Sequence, residues 1–214
     1  PSILPRQKIL ENIGFPSAEE KAKMYENAYK KFTEAGYVAI GMDHFCRPND
    51  EFYLALKNNQ LHRNFQGYCT TKTTGQVYGF GASSISQLFS AYSQNVKNAA
   101  QYIKKINEKN TAVLRGYNLN KNEKIIRDVI NSIMCNYYVD FSEISERFNT
   151  NSKNIKEILD FKDEKFDDFL NLNLMRIKND TVSISHDARL FIRNIAMEFD
   201  PLLNNKIGTY SKTI

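Results

Sequence analysis

Residues 17–42 constrain the fold more than any other stretch of the chain. Ser17 follows Pro16 and stands three residues before Glu20, the spacing at which a serine and a glutamate cap a helix start reciprocally. Ala22, Tyr25, Ala28, Tyr29, Phe32 and Ala35 then recur at intervals of three and four, which predicts a helix over 17–35 with one apolar stripe. Gly36 stands where such a helix stops. The run Tyr37-Val38-Ala39-Ile40-Gly41-Met42 reads as a short strand buried on both faces, as a parallel sheet or barrel requires. A helix feeding a doubly buried strand belongs to the α/β class.

The rest of the first half extends that pattern. Pro48-Asn49-Asp50-Glu51 opens a second helix to about Asn58, and Leu61 to Tyr68 reads as a polar, aromatic loop. Val77 to Ser86 reads as a strand running into a Gly/Ser-rich turn, and Asn95 to Ile106 as a further helix. From about Glu108 the texture becomes helical. Helices are expected near 123–138, 142–148, 151–159, 164–172 and 186–199. Residues 174–177 and 181–184 alternate around Asn179-Asp180 as a hairpin. We therefore expect two domains, 1–107 of α/β type and 108–214 mostly helical with a small hairpin, an order resembling a winged helix.

Charge separates the halves. Residues 1–107 carry 13 Lys+Arg against 8 Asp+Glu, whereas residues 108–214 carry 16 of each. From Phe52 to Asn107 there are six basic residues and no acid. Such a one-sided stretch is either a solvated basic face or the neighbourhood of an anionic ligand. The neutral second half argues against nucleic-acid binding, because phosphate contacts need surplus cations. No run of about 18 apolar residues is present, so no membrane partner is expected. Cys46, Cys69 and Cys135 are odd in number and widely spaced. They are expected to be free thiols in a reducing, cytoplasmic setting, with no metal among them. The opening Pro1-Ser2-Ile3-Leu4-Pro5-Arg6 is neither an initiator Met nor a signal peptide, so the chain is expected to begin within a longer protein.

Four groups of residues are candidates for chemistry. Gly79-Phe80-Gly81-Ala82-Ser83-Ser84 is not G-x-G-x-x-G, but Gly79 and Gly81 would let a backbone approach a ligand closely; tight packing explains them equally well. Asp43 and His44 follow a strand end and could be an acid/base pair, organise hydrogen bonds to a ligand or the structure, or lie plainly at the surface; neighbours on an extended segment point apart, which speaks against their direct pairing. Arg63 is a candidate for bidentate carboxylate binding, with a plain surface arginine as the alternative. His186 reads as a neighbour of a helix cap.

Taken together, three segments resemble one family. They are Gly41-Met42-Asp43-His44-Phe45-x-Arg47-Pro48-x-Asp50-Glu51, Leu61-His62-Arg63-Asn64-Phe65-Gln66-Gly67-Tyr68 and Gly79-Phe80-Gly81-Ala82-Ser83-Ser84-Ile85-Ser86. The family is the oxygen-independent coproporphyrinogen III oxidases, radical S-adenosylmethionine enzymes of haem synthesis. Arg127-Asp128-Val129-Ile130, Cys135-Asn136, Leu190 to Ile195 and the terminal Tyr210 to Ile214 extend the likeness along nearly the whole chain.

The resemblance implies that this chain is the last part of a partial β/α barrel followed by the helical C-terminal domain. The family's C-x-x-x-C-x-x-C, which holds a [4Fe–4S] cluster, is absent. The resemblance therefore implies that S-adenosylmethionine and the cluster belong to the complete enzyme and that this chain alone holds neither and is inactive. It places Phe65, Gln66 and Ile85 at the S-adenosylmethionine region, with Gly79 and Gly81 in the same wall. The expected substrate is coproporphyrinogen III, two of whose propionates become vinyl groups. The other expected partners are the missing N-terminal part of the catalytic domain, an electron donor and an electron acceptor. Charge, not the motifs, marks Arg63, and less directly Arg47 and Lys72, as carboxylate partners. Two alternatives stand beside this reading: a related haem chaperone, and a non-catalytic winged-helix binding module.

Overall fold

A computed structural model describes residues 14–71 and 75–203. The opening segment, Lys72 and the terminal Tyr210 to Ile214 lie outside the described residues.

Helix α1, Ala18–Glu34, forms where the spacing predicts it. The Ser17 hydroxyl accepts from the Glu20 N–H at 3.2 Å, and the Glu20 carboxylate accepts from the Ser17 N–H at 2.7 Å. Gly36 follows in the left-handed region, φ +82. The stripe is only half buried: Phe32 stacks on Phe45 with ring centres 4.8 Å apart and meets Tyr37 edge-on at 5.6 Å.

The strand that follows departs from expectation. β1, Val38–Ile40, pairs antiparallel with β2, His44–Cys46, and is not a doubly buried strand of a parallel sheet. Gly41, at φ +54, reverses the chain within the apolar run. The hydrophobicity of residues 37–42 therefore serves a tight hairpin of which Ile40 is the buried member. Every strand pairing among the described residues is antiparallel. Helix α2, Glu51–Lys57, starts at Asp50, whose carboxylate accepts from the Phe52 N–H at 2.9 Å.

Residues 61–68 are not a loop either. β3, Leu61–Asn64, and β4, Gly67–Thr70, form a hairpin around Phe65-Gln66. Asn64 makes the turn: its side-chain oxygen accepts from the Gln66 and Gly67 N–H groups at 2.8 and 3.3 Å. The expected strand at 77–86 is reduced to a bridge between Val77 and Gln87. The sheet there consists of β5, Ile85–Gln87, β6, Ala91–Asn95, and β7, Val113–Asn118, in that order. Gln, Ser and Asn fill much of β5 and β6, and β7 is exposed throughout, so apolar alternation does not mark them. Helix α3, Ala99–Lys109, starts later than residue 95 because Asn98 caps it, accepting from Gln101 N–H at 3.0 Å.

From residue 121 on the chain follows its expected helices and hairpin, but β7 falls in the half read as helical and joins the sheet of the first half, and Tyr138–Asp140 is a strand the sequence did not mark. Helix α4, Lys121–Asn136, leads through β8, Tyr138–Asp140, to α5, Phe141–Arg147, and α6, Ser152–Ile158. A 3-10 turn at Asp163–Phe166 and α7, Asp167–Asn171, precede the hairpin of β9, Met175–Lys178, and β10, Thr181–Ile184. β8 joins that hairpin in the order β8–β10–β9. A 3-10 helix, His186–Phe191, runs into α8, Ile192–Met197. Ile133, Phe141, Ile155, Phe166, Ile195 and Phe199 anchor one core in this half.

A smaller core of Ile40, Cys46, Ala55, Leu61 and Tyr68 reaches across to Cys135 on α4. Tyr68 fastens the two regions. Its hydroxyl accepts from Met42 N–H and donates to the Met134 carbonyl, both at 3.1 Å. Burial holds that phenol well above the ordinary tyrosine range. No helix among the described residues is long and apolar enough to cross a membrane.

Candidate functional site

The β3–β4 hairpin projects its turn beside α4 and the β5–β6–β7 sheet. Arg127, on α4, ties that sheet in place by donating to the Leu88 and Phe89 carbonyls at 3.2 and 2.6 Å. Phe65, 49% exposed at the turn, shares a cleft of about 350 Å³ with Arg63, Tyr92, Tyr117 and Arg127. Tyr92 and Tyr117 also line a mainly apolar cleft of about 200 Å³ that contains Ile85. The two clefts therefore adjoin, and Phe65, Arg63 and Ile85 lie along one groove. Arg63 sits 5.7 Å from the Tyr68 ring centre, and its Nε is buried without a hydrogen-bond partner.

The other residues singled out in the sequence lie differently. Gln66 is exposed at the turn beside Phe65. Gly79 is a packing glycine: a Cβ there would come within 2.7 Å of the Ile85 carbonyl, and its N–H donates to the Ser86 hydroxyl at 3.0 Å. It supports Ile85 from behind. Gly81 has φ +96, and its N–H donates to the Tyr102 hydroxyl at 3.2 Å. Arg47 is exposed and lies 5.4 Å from the centre of the Tyr37 ring.

Asp43 and His44 do pair, contrary to expectation, with Oδ1 and Nδ1 2.7 Å apart. Asp43 ends the turn that begins at Gly41 and His44 opens β2, so the two side chains converge at the turn's exit instead of alternating along one extended strand. His44 also faces the hairpin turn: a Cβ on Gly67 would lie 3.5 Å from its Nε2. His186 is more than a cap neighbour. Ser185 caps the turn, and His186 Nε2 contacts both the Tyr29 hydroxyl, at 3.2 Å, and the Arg189 guanidinium. Arg189 in turn lies 4.5 Å from the Tyr29 ring centre and donates to the Tyr137 hydroxyl at 3.4 Å. That cluster binds α1 to the last helical segment, and no local spacing could reveal it.

His62 lies on the far side of the hairpin, in a polar cleft with Asp128, which accepts an ion pair from Arg147 at 2.8 Å. Burial, and then the Arg127 charge, lower the His62 pKa below 6.5 while Asp128 raises it; burial and then Arg189 lower that of His186. A histidine held neutral in the fold contributes stability above its unfolded pKa. That stability is lost as pH falls from about 6.5 through the lowered folded value. The urea midpoint is therefore expected to drop between about pH 7 and about pH 5. In the variant carrying His62→Gln and His186→Gln the drop should shrink, and an equally steep drop there would contradict the assignment.

The three thiols form no donor set. Cys46 and Cys135 are buried, and burial pushes the Cys135 thiol up to about 12, away from the thiolate a metal needs. Among the described residues no three His, Cys, Asp or Glu side chains are placed to hold a metal ion.

Comparison with known proteins gives first a class. The fold is similar to that of coproporphyrinogen III oxidase (HemN) from Escherichia coli, described as a radical SAM enzyme. The TM-score is 0.78 at 34% identity, over 87% of this chain and 42% of that one. The particular family follows from sequence. The oxygen-independent coproporphyrinogen III oxidase of Salmonella typhimurium is 34% identical over 207 residues, covering 96% of this chain and 44% of the relative. That of Thermostichus vulcanus is 34% identical over 218 residues, covering all of this chain and 65% of the relative. No family model matches. The chain is a homologue of the oxygen-independent coproporphyrinogen III oxidases, and it spans about two-fifths to two-thirds of the length of the relatives it matches.

Proposed function

We propose that this chain works as the C-terminal part of an oxygen-independent coproporphyrinogen III oxidase, forming the ligand wall of the active site and inactive by itself. In this reading α1 to β7 belong to the catalytic domain of the complete enzyme and contribute antiparallel hairpins and a small sheet beside its partial β/α barrel, not parallel barrel strands. The succession α4, β8, α5, α6, β9 and β10 is a winged-helix-like unit that buttresses it. The observation that carries the proposal is the groove. Phe65, Arg63 and Ile85 are up to 22 positions apart in sequence, yet they line one continuous surface of rings, aliphatic side chains and cations.

The groove fits S-adenosylmethionine chemically. An aromatic face at Phe65 and an aliphatic wall at Ile85 suit an adenine ring, and the Gln66 amide beside them can hydrogen-bond its edge. When bound with a reduced [4Fe–4S] cluster, S-adenosylmethionine supplies the radical chemistry that oxidises a propionate side chain to a vinyl group with loss of carbon dioxide. The described residues of this chain do not fit the cluster itself, since their thiols are scattered and mostly buried. It would be held by the remainder of the protein, served by an external electron donor and acceptor. What these residues contribute is orientation, exclusion of water by the Phe65 turn, and positive charge from Arg63 for substrate carboxylates. Gly79 holds Ile85 at the wall. Arg47, exposed over Tyr37, is a weaker partner for the substrate, and Lys72 retains only its charge-based argument.

The test is anaerobic turnover of coproporphyrinogen III by the complete protein with its cluster reconstituted. Formation of protoporphyrinogen IX is expected. Phe65→Ala is expected to lower kcat/KM by about 10- to 100-fold, the cost of losing a positioning contact. Absence of turnover in a preparation whose cluster is intact by spectroscopy would overturn the reading.

A further inference from the structure

The groove does not end at the hairpin. Past Arg63 it opens between α4 and α8, where Met134 of α4 and Arg193 and Met197 of α8 line a further cleft of about 310 Å³. Arg63, Ile130 and Asp200 line both this cleft and the one at Phe65, so the two are continuous.

Resting on the oxidase reading, we propose that Arg193 and Arg63 form a cation pair that seats one carboxylate side arm of the tetrapyrrole. Arg193 thereby becomes a specificity-determining residue for the substrate.

Three observations carry this. First, Arg193 and Arg63 come from separate elements, α8 and β3, and both line one cleft with the methionines Met134 and Met197. Apolar walls reduce the screening of a charge pair and so strengthen its attraction for a carboxylate. Second, the Arg63 Nε–H is buried and makes no hydrogen bond. A buried donor left unmade is costly, and a carboxylate drawn to the same guanidinium would offset that cost by charge attraction, although the Nε itself lies out of solvent reach. Third, the cleft holds one acid against these cations. Asp200 has its carboxylate engaged locally, accepting from the Leu202 N–H at 3.0 Å. It competes with a ligand carboxylate for the arginines, which makes it an internal control of opposite sign.

The geometry also explains a division of labour along the groove. Its Ile85 end combines Ile85, two tyrosines, Ser93 and Gln94 with one cation, Arg115, and its α8 end combines two arginines and Asp200 with methionine side chains. An amphipathic ring bearing carboxylate arms matches the second composition, since its macrocycle can lie on the apolar wall while one arm reaches the cations.

The test uses the complete protein and coproporphyrin III, the fluorescent oxidised form of the substrate, as probe. Arg193→Gln is expected to raise its Kd about tenfold, equivalent to about 1.4 kcal/mol. Arg193→Lys should recover part of the loss, and Asp200→Asn should bind more tightly than the wild type. The tetramethyl ester of the probe, which lacks the charges, should bind weakly and without response to Arg193→Gln. Affinity for S-adenosylmethionine should not change in any of these variants. A well-folded Arg193→Gln protein that binds the probe as tightly as the wild type would overturn the pair. So would an equal loss for the ester, since that would mean a packing role. Turnover separates this outcome from failure of the oxidase reading. Normal turnover with unaltered probe affinity and KM in Arg193→Gln discards the pair and leaves the oxidase. A wild type without turnover whose probe binding still depends on Arg193 discards the oxidase and leaves a tetracarboxylate site.

Discussion

Gly41→Ala is expected to destabilise the protein by about 3 kcal/mol or more. A Cβ at position 41 would lie 2.0 Å from the Tyr68 ring carbon and its hydroxyl oxygen. The ring cannot retreat cheaply. Its hydroxyl is held by Met42 on one side and Met134 on the other, and the Tyr137 hydroxyl donates to the Gly41 carbonyl from a third direction. The backbone adds its own cost, since φ +54 disfavours a side chain by about 1 kcal/mol. Gly36→Ala is the matched control. It too has a left-handed backbone, φ +82, but nothing lies within 4 Å of an added Cβ. Its loss should be only about 1 kcal/mol. Urea midpoints of the two variants decide the matter. Equal losses would mean that Tyr68 does not sit on Gly41.

The consequence reaches the groove. Tyr68 follows the hairpin turn, and its ring lies beneath Arg63. Moving Tyr68 to admit a methyl group would shift the β3–β4 hairpin that carries Phe65 and Arg63. Gly41→Ala in the complete protein should therefore lose ligand affinity even where it remains folded.

Phe166→Ala should cost about 3–5 kcal/mol, the range for emptying a fully buried aromatic site. Phe166 has no exposed surface and lies between Phe161 and Phe199, with ring centres 5.2 and 4.8 Å away. Those rings come from two distant stretches, 161–166 and the turn just after the last helix, so the cavity cannot close by one local adjustment. Near-UV circular dichroism and thermal melting should both report the loss. Phe80→Ala, at a ring 88% exposed, should change stability by less than about 0.5 kcal/mol. A comparable loss at both positions would contradict the assignment of the core.

Local rules make several elements legible in the sequence. The Ser17/Glu20 capping box, the Gly36 stop, the Asp50 cap and the Asn179-Asp180 turn each depend on residues within four positions of one another. The helical second half is legible for the same reason, since its apolar residues recur with helical period along long segments. The motif resemblance carries the family, and the groove brings Phe65, Ile85 and Arg63 to a common surface. Gly79, open in the sequence either to a ligand or to packing, packs against Ile85.

What the chain's own order of residues determined was helix position, capping, the second-half hairpin and the acid-free stretch from Phe52 to Asn107, because these follow from neighbours in sequence. Which way each strand pairs was decided by the tertiary structure. β1 turns back at Gly41 because the Tyr68 ring occupies the space a side chain there would need, and Tyr68 lies 27 positions further on. The Arg189 cluster and the cleft that Arg63 and Arg193 both line have the same origin. Each depends on a contact between distant segments, and neither hydrophobic period nor propensity encodes such a contact.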